Sequence, residues 1–191
     1  MEETVNVNYF GPRRVNDALI PLVKRPGGRI VHVASASGPN FVEALPSSSP
    51  LKESLPKPWK LSGGIADVDE IAKKYASSTD NGYGFSKALL NAYTVLLAKQ
   101  NPDLIINSCT PGFILTDLTA GTSAKDPPSK GAVPPCFLMM DDNFVPTQPT
   151  GRYYGSDCQR SPMHCYRSPG DPPYASDEDL VELPASAKKE L

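Results

Sequence analysis

Two short runs rich in β-branched residues constrain this chain more than any other feature. Residues 29–35 (RIVHVAS) follow the turn Pro26-Gly27-Gly28, and residues 104–109 (LIINSC) are ended by Thr110-Pro111-Gly112. Runs this short, apolar almost throughout and bounded by turn residues, fit strands covered on both faces, as in a parallel sheet. Parallel neighbours need a long crossover between them, and the chain supplies one. Residues 83–99 repeat apolar positions at helical spacing (Phe85, Ala88, Leu89, Ala92, Leu96, Leu97), and Pro102 stops the pattern. A shorter amphipathic helix is expected over 67–75. Another is expected over 5–23, limited or bent by Pro12 and Pro21. Residues 151–155 (GRYYG) make a weaker third strand candidate. The order helix, strand, helices, strand, helix, strand predicts an α/β fold with a doubly wound parallel sheet of about three strands.

Composition narrows the partners. Nineteen Lys and Arg against 21 Asp and Glu leave a formal charge of −2, so nothing electrostatic favours nucleic acid or an anionic membrane. No apolar run approaches the ~18 residues of a membrane span. The start, MEETVNVNYFGPRR, has neither the basic nor the apolar region of a secretory signal. A cytoplasmic protein is therefore expected, with Cys109, Cys136, Cys158 and Cys165 as free thiols. Their spacing, with His164 among them, matches no zinc pattern, and no metal site is expected. Proline is abundant, at 21 residues. It is concentrated in a polar Pro/Ser-rich stretch over 39–61 and after Ala124. A short helix over 130–140 requires Pro134 and Pro135 in its first turn, and 158–191 reads as an irregular proline-rich and charged tail. The final KKEL resembles a retention signal only loosely.

Chemistry concentrates at Tyr83-Gly84-Phe85-Ser86-Lys87. Residues four apart share a helix face, so the Lys87 ammonium can approach the Tyr83 phenol and favour its ionised form, as a general acid or base requires. A Tyr-x-x-x-Lys pair arises by chance about as often as not in such a composition, so the pair alone means little. Its surroundings mean more. Ser35 ends the first strand, and Pro111-Gly112 follow the second, at the sheet edge where open α/β folds bind ligands. The overlapping Gly84-x-Ser86-x-Ala88 imitates a hydrolase nucleophile elbow. However, the preceding SSTDNG is polar loop, and neither His32 nor His164 lies where a triad base should. His32 is expected to be a strand histidine satisfied by hydrogen bonds.

The segments VNVNYFG (5–11), GGRIVHVASASG (27–38), YGFSKALLNAYTVLLAK (83–99) and INSCTPGFILTD (106–117) resemble, in order, the C-terminal half of a short-chain dehydrogenase/reductase of the carbonyl reductase-like branch. SKGAVPPCFLM and GRYYGSD extend the likeness to about Asp157. The resemblance implies a partial Rossmann-like domain over 1–157, with an insertion over about 39–80. The 47 residues between Ser35 and Tyr83 are similar to the insertion of monomeric members, so a monomer is expected.

The resemblance also implies an NAD(P)(H)-dependent oxidoreductase interconverting small-molecule carbonyls and alcohols by hydride transfer, with NADP (NADPH) favoured over NAD. Tyr83 would be the general acid/base, and Lys87 would support it and hold the nicotinamide ribose. Ser35 would orient the carbonyl, and Asn8 would hold a water linking Lys87 to solvent. Pro111, Gly112, Ile114 and Thr116 would pack on the nicotinamide end. The sequence departs from the pattern at its start. The first 26 residues hold one glycine, Gly11, and no strand with the Gly-rich turn that cradles a pyrophosphate. Two expectations follow: an apolar edge at residues 29–35 left bare, and, as the alternative function, a catalytically inactive truncated member (a pseudoenzyme, interaction protein or partial gene product) unable to bind the cofactor alone.

Overall fold

A computed structural model describes residues 2–140 and 149–175. The chain begins helical, as α1 (Glu2–Val5), a π-turn (Asn6–Phe10) and α2 (Gly11–Leu19), followed by a 3₁₀ turn (Ile20–Leu22). Pro12 explains the π-turn. It has no N–H to return to the Asn8 carbonyl, and the helix widens so that the Gly11 N–H reaches Asn6 O, five residues back. The proline therefore reshapes the helix without ending it.

Among the described residues three strands form one sheet in the order β1 (Arg29–Val33), β2 (Ile105–Cys109) and β3 (Tyr153–Tyr154). Both pairings are parallel, with Arg29 opposite Ile105 and Ser108 opposite Tyr153. The two expected strands and the weaker third are all present. β2 is buried along its whole length, whereas β1 is an edge strand with Val33 47% exposed. The bare apolar edge expected from the sequence is thus present in the structure.

The crossover helix α6 (Gly82–Gln100) is the centre of the core. It is capped by Asn81, whose side chain accepts the Gly84 N–H at 2.8 Å, and the backbone leaves the helix at Asn101, just before Pro102. Leu89, Ala92, Tyr93 and Leu96 are all buried; α1, α5 (Ile65–Tyr75) and α3 (Ser37–Ala44) pack on the helix, and Tyr93 stacks on His32 of β1. On the sheet's other face α8 (Val133–Met140), with Pro134 and Pro135 in its first turn, sets Leu138 against Ile105, Cys109 and Tyr154. A single turn, α7 (Pro128–Gly131), precedes it.

Two regions differ from the sequence reading. Within 39–61 the chain forms α3, the short α4 (Leu51–Ser54) and a 3₁₀ turn at Pro58–Lys60 rather than a plain polar stretch. Pro39 sits in the first turn of α3, where its missing N–H is harmless, and Phe41, Val42, Leu51 and Leu55 are buried beneath. Residues 158–175 have no helix or strand, in keeping with the irregular stretch expected there, but they are packed against the domain. Ser161 and Met163 are buried, and the Ser161 N–H donates to Tyr153 O at 2.9 Å, drawing the chain back over the sheet end. The charged end over 176–191 lies outside the described residues. Among the described residues no helix is long and apolar enough to cross a membrane.

Candidate active site

Two glycines decide how closely the reactive segments approach. A Cβ at Gly84 would stand 2.8 Å from Ser37 O and 2.9 Å from the Phe41 Cβ; one at Gly38 would stand 3.1 Å from the Ala88 nitrogen. Hydrogen at both positions lets the start of α3 lie directly on the first turns of α6. The loop 34–37 leaving β1 therefore meets the Tyr83–Lys87 turn, although 47 residues separate Ser35 from Tyr83.

Tyr83 is 45% exposed, and the Lys87 ammonium lies 5.6 Å from its ring centroid, at the outer reach of a cation–π contact. The i, i+4 spacing thus brings the pair together as expected. Lys87 also donates to the Val33 carbonyl at 3.1 Å, and burial holds its amine below the ordinary lysine value. Asn8 projects from the π-turn, and its amide donates to Ser86 Oγ at 3.2 Å. Ser86 is fully buried and passes the contact on by donating to Tyr83 O at 2.8 Å. It is a helix-interior serine on a polar path from Asn8 to the Tyr83 backbone, not an elbow nucleophile. The sequence flagged Ser86 only through that false motif, so its linking position was missed.

Asn8 and Lys87 share one groove of about 520 Å³ beside the free edge of β1. Ser35 faces a second, tighter cavity of about 170 Å³ with Thr110, Gly112 and Phe113. Its Oγ accepts the Ser37 N–H at 3.2 Å. Of the four expected catalytic residues, Asn8 and Lys87 therefore line the groove and Ser35 the cavity, while Tyr83 lines neither and is placed by its contact with Lys87.

The loop after β2 divides its expected residues. Gly112 has φ +89° and turns the chain against Ser156. Ile114 is buried where a Cβ on Gly131 would stand 2.7 Å from it, and Thr116 caps the 3₁₀ turn Asp117–Thr119. Pro111 is half-buried ahead of them. Ile114 and Thr116 thus hold the loop's shape, while Gly112 and Phe113 front the cavity. Further lining comes from Ser156, at the end of the GRYYGSD likeness, and from Tyr166 and Arg167 in the segment the sequence left unassigned. It carries no helical or strand period by which to find it.

His32 is satisfied, as expected. It meets Asn16 and Thr94 at 2.8 Å each, and burial lowers its pKa to about 4.

No family model matches the chain. It is 32% identical over 148 residues to the (+)-neomenthol dehydrogenase of Arabidopsis thaliana, covering 73% of this chain and 50% of that protein. It is 30% identical over 154 residues to carbonyl reductase (NADPH) 1 of Homo sapiens, covering 73% and 54%. The solved structure of salutaridine reductase from Papaver somniferum superposes with a TM-score of 0.64 at 26% identity, over 80% of this chain and 54% of that one. The chain spans about half the length of the curated relatives it matches. With likeness on this scale in both sequence and fold, the chain belongs to the short-chain dehydrogenase/reductase family.

Proposed function

We propose that this chain carries the proton-transfer half of an NADP(H)-dependent oxidoreductase acting on small carbonyl compounds and alcohols. The observation that carries the reading is the Tyr83–Lys87 pair at the C-terminal end of β1, with Asn8 in the same groove as Lys87.

The residues fit one end of a nicotinamide dinucleotide. The recessed Lys87 amine, kept close to the sheet by Val33 O, and the exposed Tyr83 phenol suit a ribose hydroxyl pair. The pyrophosphate end finds no such match. Gly11, the glycine of the first 26 residues, is helical at φ −59° and forms no phosphate-cradling turn. When bound, the dinucleotide supplies the two-electron chemistry of carbonyl/alcohol interconversion.

The chain's own residues would manage the proton. In the reducing direction Tyr83 Oη gives its proton to the substrate oxygen, and Ser35 Oγ donates a hydrogen bond to that oxygen and orients it. The adjacent Lys87 charge favours the tyrosinate that remains. Asn8, in the groove leading from Lys87 to solvent, fits a role in restoring the proton through water. NADP is favoured over NAD because relatives of this chain carry NADPH in their names.

The edge of β1, which has no second strand partner among the described residues, favours a second reading, in which the chain is silent until its nucleotide-binding complement is supplied by another polypeptide. Titrating NADPH and NADH by fluorescence, and following carbonyl-dependent NADPH oxidation in the wild type and Tyr83→Phe, tests both. Micromolar NADPH binding with turnover that falls at least ~100-fold in Tyr83→Phe supports the first reading. Turnover unchanged in Tyr83→Phe refutes it, and absence of NADPH binding supports the second.

A further inference from the structure

Asn8 sits in a π-turn, a rare widening of the helix that interrupts its regular backbone bonds. On one side the turn is held by Ser86, which accepts from the Asn8 amide. On the other side it is held by a single carboxylate from a distant part of the chain. Tyr9, the residue after Asn8, donates its phenol proton to Asp69 Oδ1 at 2.7 Å. Arg13, in the first turn of α2, pairs with Asp69 Oδ2 at 3.1 Å. Asp69 belongs to α5, the helix of the 39–80 insertion, 60 residues along the chain from Tyr9.

The position of this carboxylate matters. Tyr9 and Arg13 are four residues apart and share a helix face, and Pro12 between them is the residue that breaks the ladder. The two oxygens of Asp69 therefore span the break, one on each side of it. Tyr9 is fully buried, with its ring edge-on to Tyr93 at 6.0 Å, so its hydroxyl needs a protein acceptor, and Asp69 supplies one. Burial, and then that acceptor, push the Tyr9 pKa up and keep the phenol a donor. The Arg13 and Asp69 side chains are each 21% exposed, so each charge depends on the other. Among the described residues the hydrogen bond and the ion pair of Asp69 both go to this stretch, and neither goes to α5 or α6.

We infer that Asp69 is a positioning residue for Asn8, holding the π-turn through Tyr9 and Arg13 so that Asn8 stays in the groove it shares with Lys87. The insertion helix acts on the groove without lining it, since no residue of α5 is among the groove's described walls. This deepens the dehydrogenase reading and rests on it for what Asn8 does, but not for how Asn8 is held. The first test is accordingly cofactor-free. Solvent exchange of the Asn8 side-chain amide, the group that donates to Ser86, is measured by NMR on the full chain. Asp69→Ala removes both grips; Tyr9→Phe removes one hydroxyl and leaves the ring and the ion pair. Glu70→Gln, on the same helix but paired with Lys73, is the control, and urea titration gives the stability of each variant.

Exchange of the Asn8 amide is expected to rise at least ~tenfold in Asp69→Ala, as loss of a hydrogen bond to a charged acceptor allows, and severalfold in Tyr9→Phe. Glu70→Gln should leave it unchanged. A purely structural acid would lower the urea midpoint while the folded chain keeps its Asn8 amide protected, and that result in both variants overturns the assignment. Should Asp69→Ala fail to fold, Tyr9→Phe decides alone. Where the wild type turns over NADPH, kcat in Tyr9→Phe should fall at least ~fivefold with the NADPH KM within about twofold. An unchanged kcat beside a loosened Asn8 refutes the proton-restoring role given to Asn8 and leaves the hold of Asp69 on it standing. Absence of turnover in the wild type counts against the dehydrogenase reading alone, and the amide exchange still decides the positioning.

Discussion

Acidifying the protein from pH 7 to pH 5 should remove about 2 kcal/mol of stability through one side chain, His32. The Thr94 hydroxyl donates to Leu90 O at 2.7 Å, so Thr94 Oγ1 is left to accept from His32 Nδ1–H. His32 Nε2 then accepts from the Asn16 amide. A second proton on the ring would face that amide donor inside a site only 7% exposed, and burial holds the pKa at about 4, against 6.5 ordinarily. The unfolded chain binds the proton first as pH falls, so stability is complete above about 6.5 and is lost progressively towards 4. Linkage over that interval gives about 3 kcal/mol at pH 4 and about 2 kcal/mol between pH 7 and pH 5. With a urea dependence of about 2 kcal/mol/M, the unfolding midpoint should drop by about 1 M. Urea titrations at pH 7, 6 and 5 on the wild type and His32→Gln check this. The variant is less stable at pH 7, but its midpoint should be nearly flat across the range. Parallel slopes in the two proteins would refute the assignment, since exposed His164 and the carboxylates are common to both.

Two other perturbations probe the frame around the site. Gly84→Ala adds a methyl 2.8 Å from Ser37 O, where backbone rather than a flexible side chain must yield. A helix-propensity gain of about 1 kcal/mol is set against an overpacking penalty of about 1–3 kcal/mol, so a net loss of up to about 2 kcal/mol is expected by chemical denaturation. Asp157→Asn should destabilise by about 2–3 kcal/mol, because it leaves the Arg167 cation buried without its counter-charge. Burial raises the Asp157 carboxyl, but Arg167 and the Gly170 and Gln159 N–H groups outweigh it and hold it below its ordinary value. Limited proteolysis should then cut within 158–175, and the double variant Asp157→Asn/Arg167→Met should recover part of the loss.

Legibility followed the range of the interactions. The strands over 29–33 and 105–109, the helix over 82–100 and the Tyr83–Lys87 pair were readable because each rests on local periodicity or on i, i+4 spacing. Even the bare β1 edge followed from counting strands. The π-turn at Asn8 was half legible, since Pro12 signalled a disturbance but not its form. The helices inside 39–61 were hidden by prolines that fall in first turns, where they do no harm.

What the sequence alone determined, then, was the family, the parallel α/β framework and the Tyr83–Lys87 juxtaposition, all carried by short-range patterns. Only the tertiary structure decided how the expected catalytic residues divide between a groove with Asn8 and Lys87 and a cavity with Ser35. It alone showed that two glycines seat α3 on α6 and that the segment after Asp157 closes the cavity. The physical reason is that these last features depend on contacts between distant segments. Gly84 against Ser37 and Tyr166 against Glu43 obey steric fit and hydrogen-bond satisfaction, and neither leaves a period in the chain.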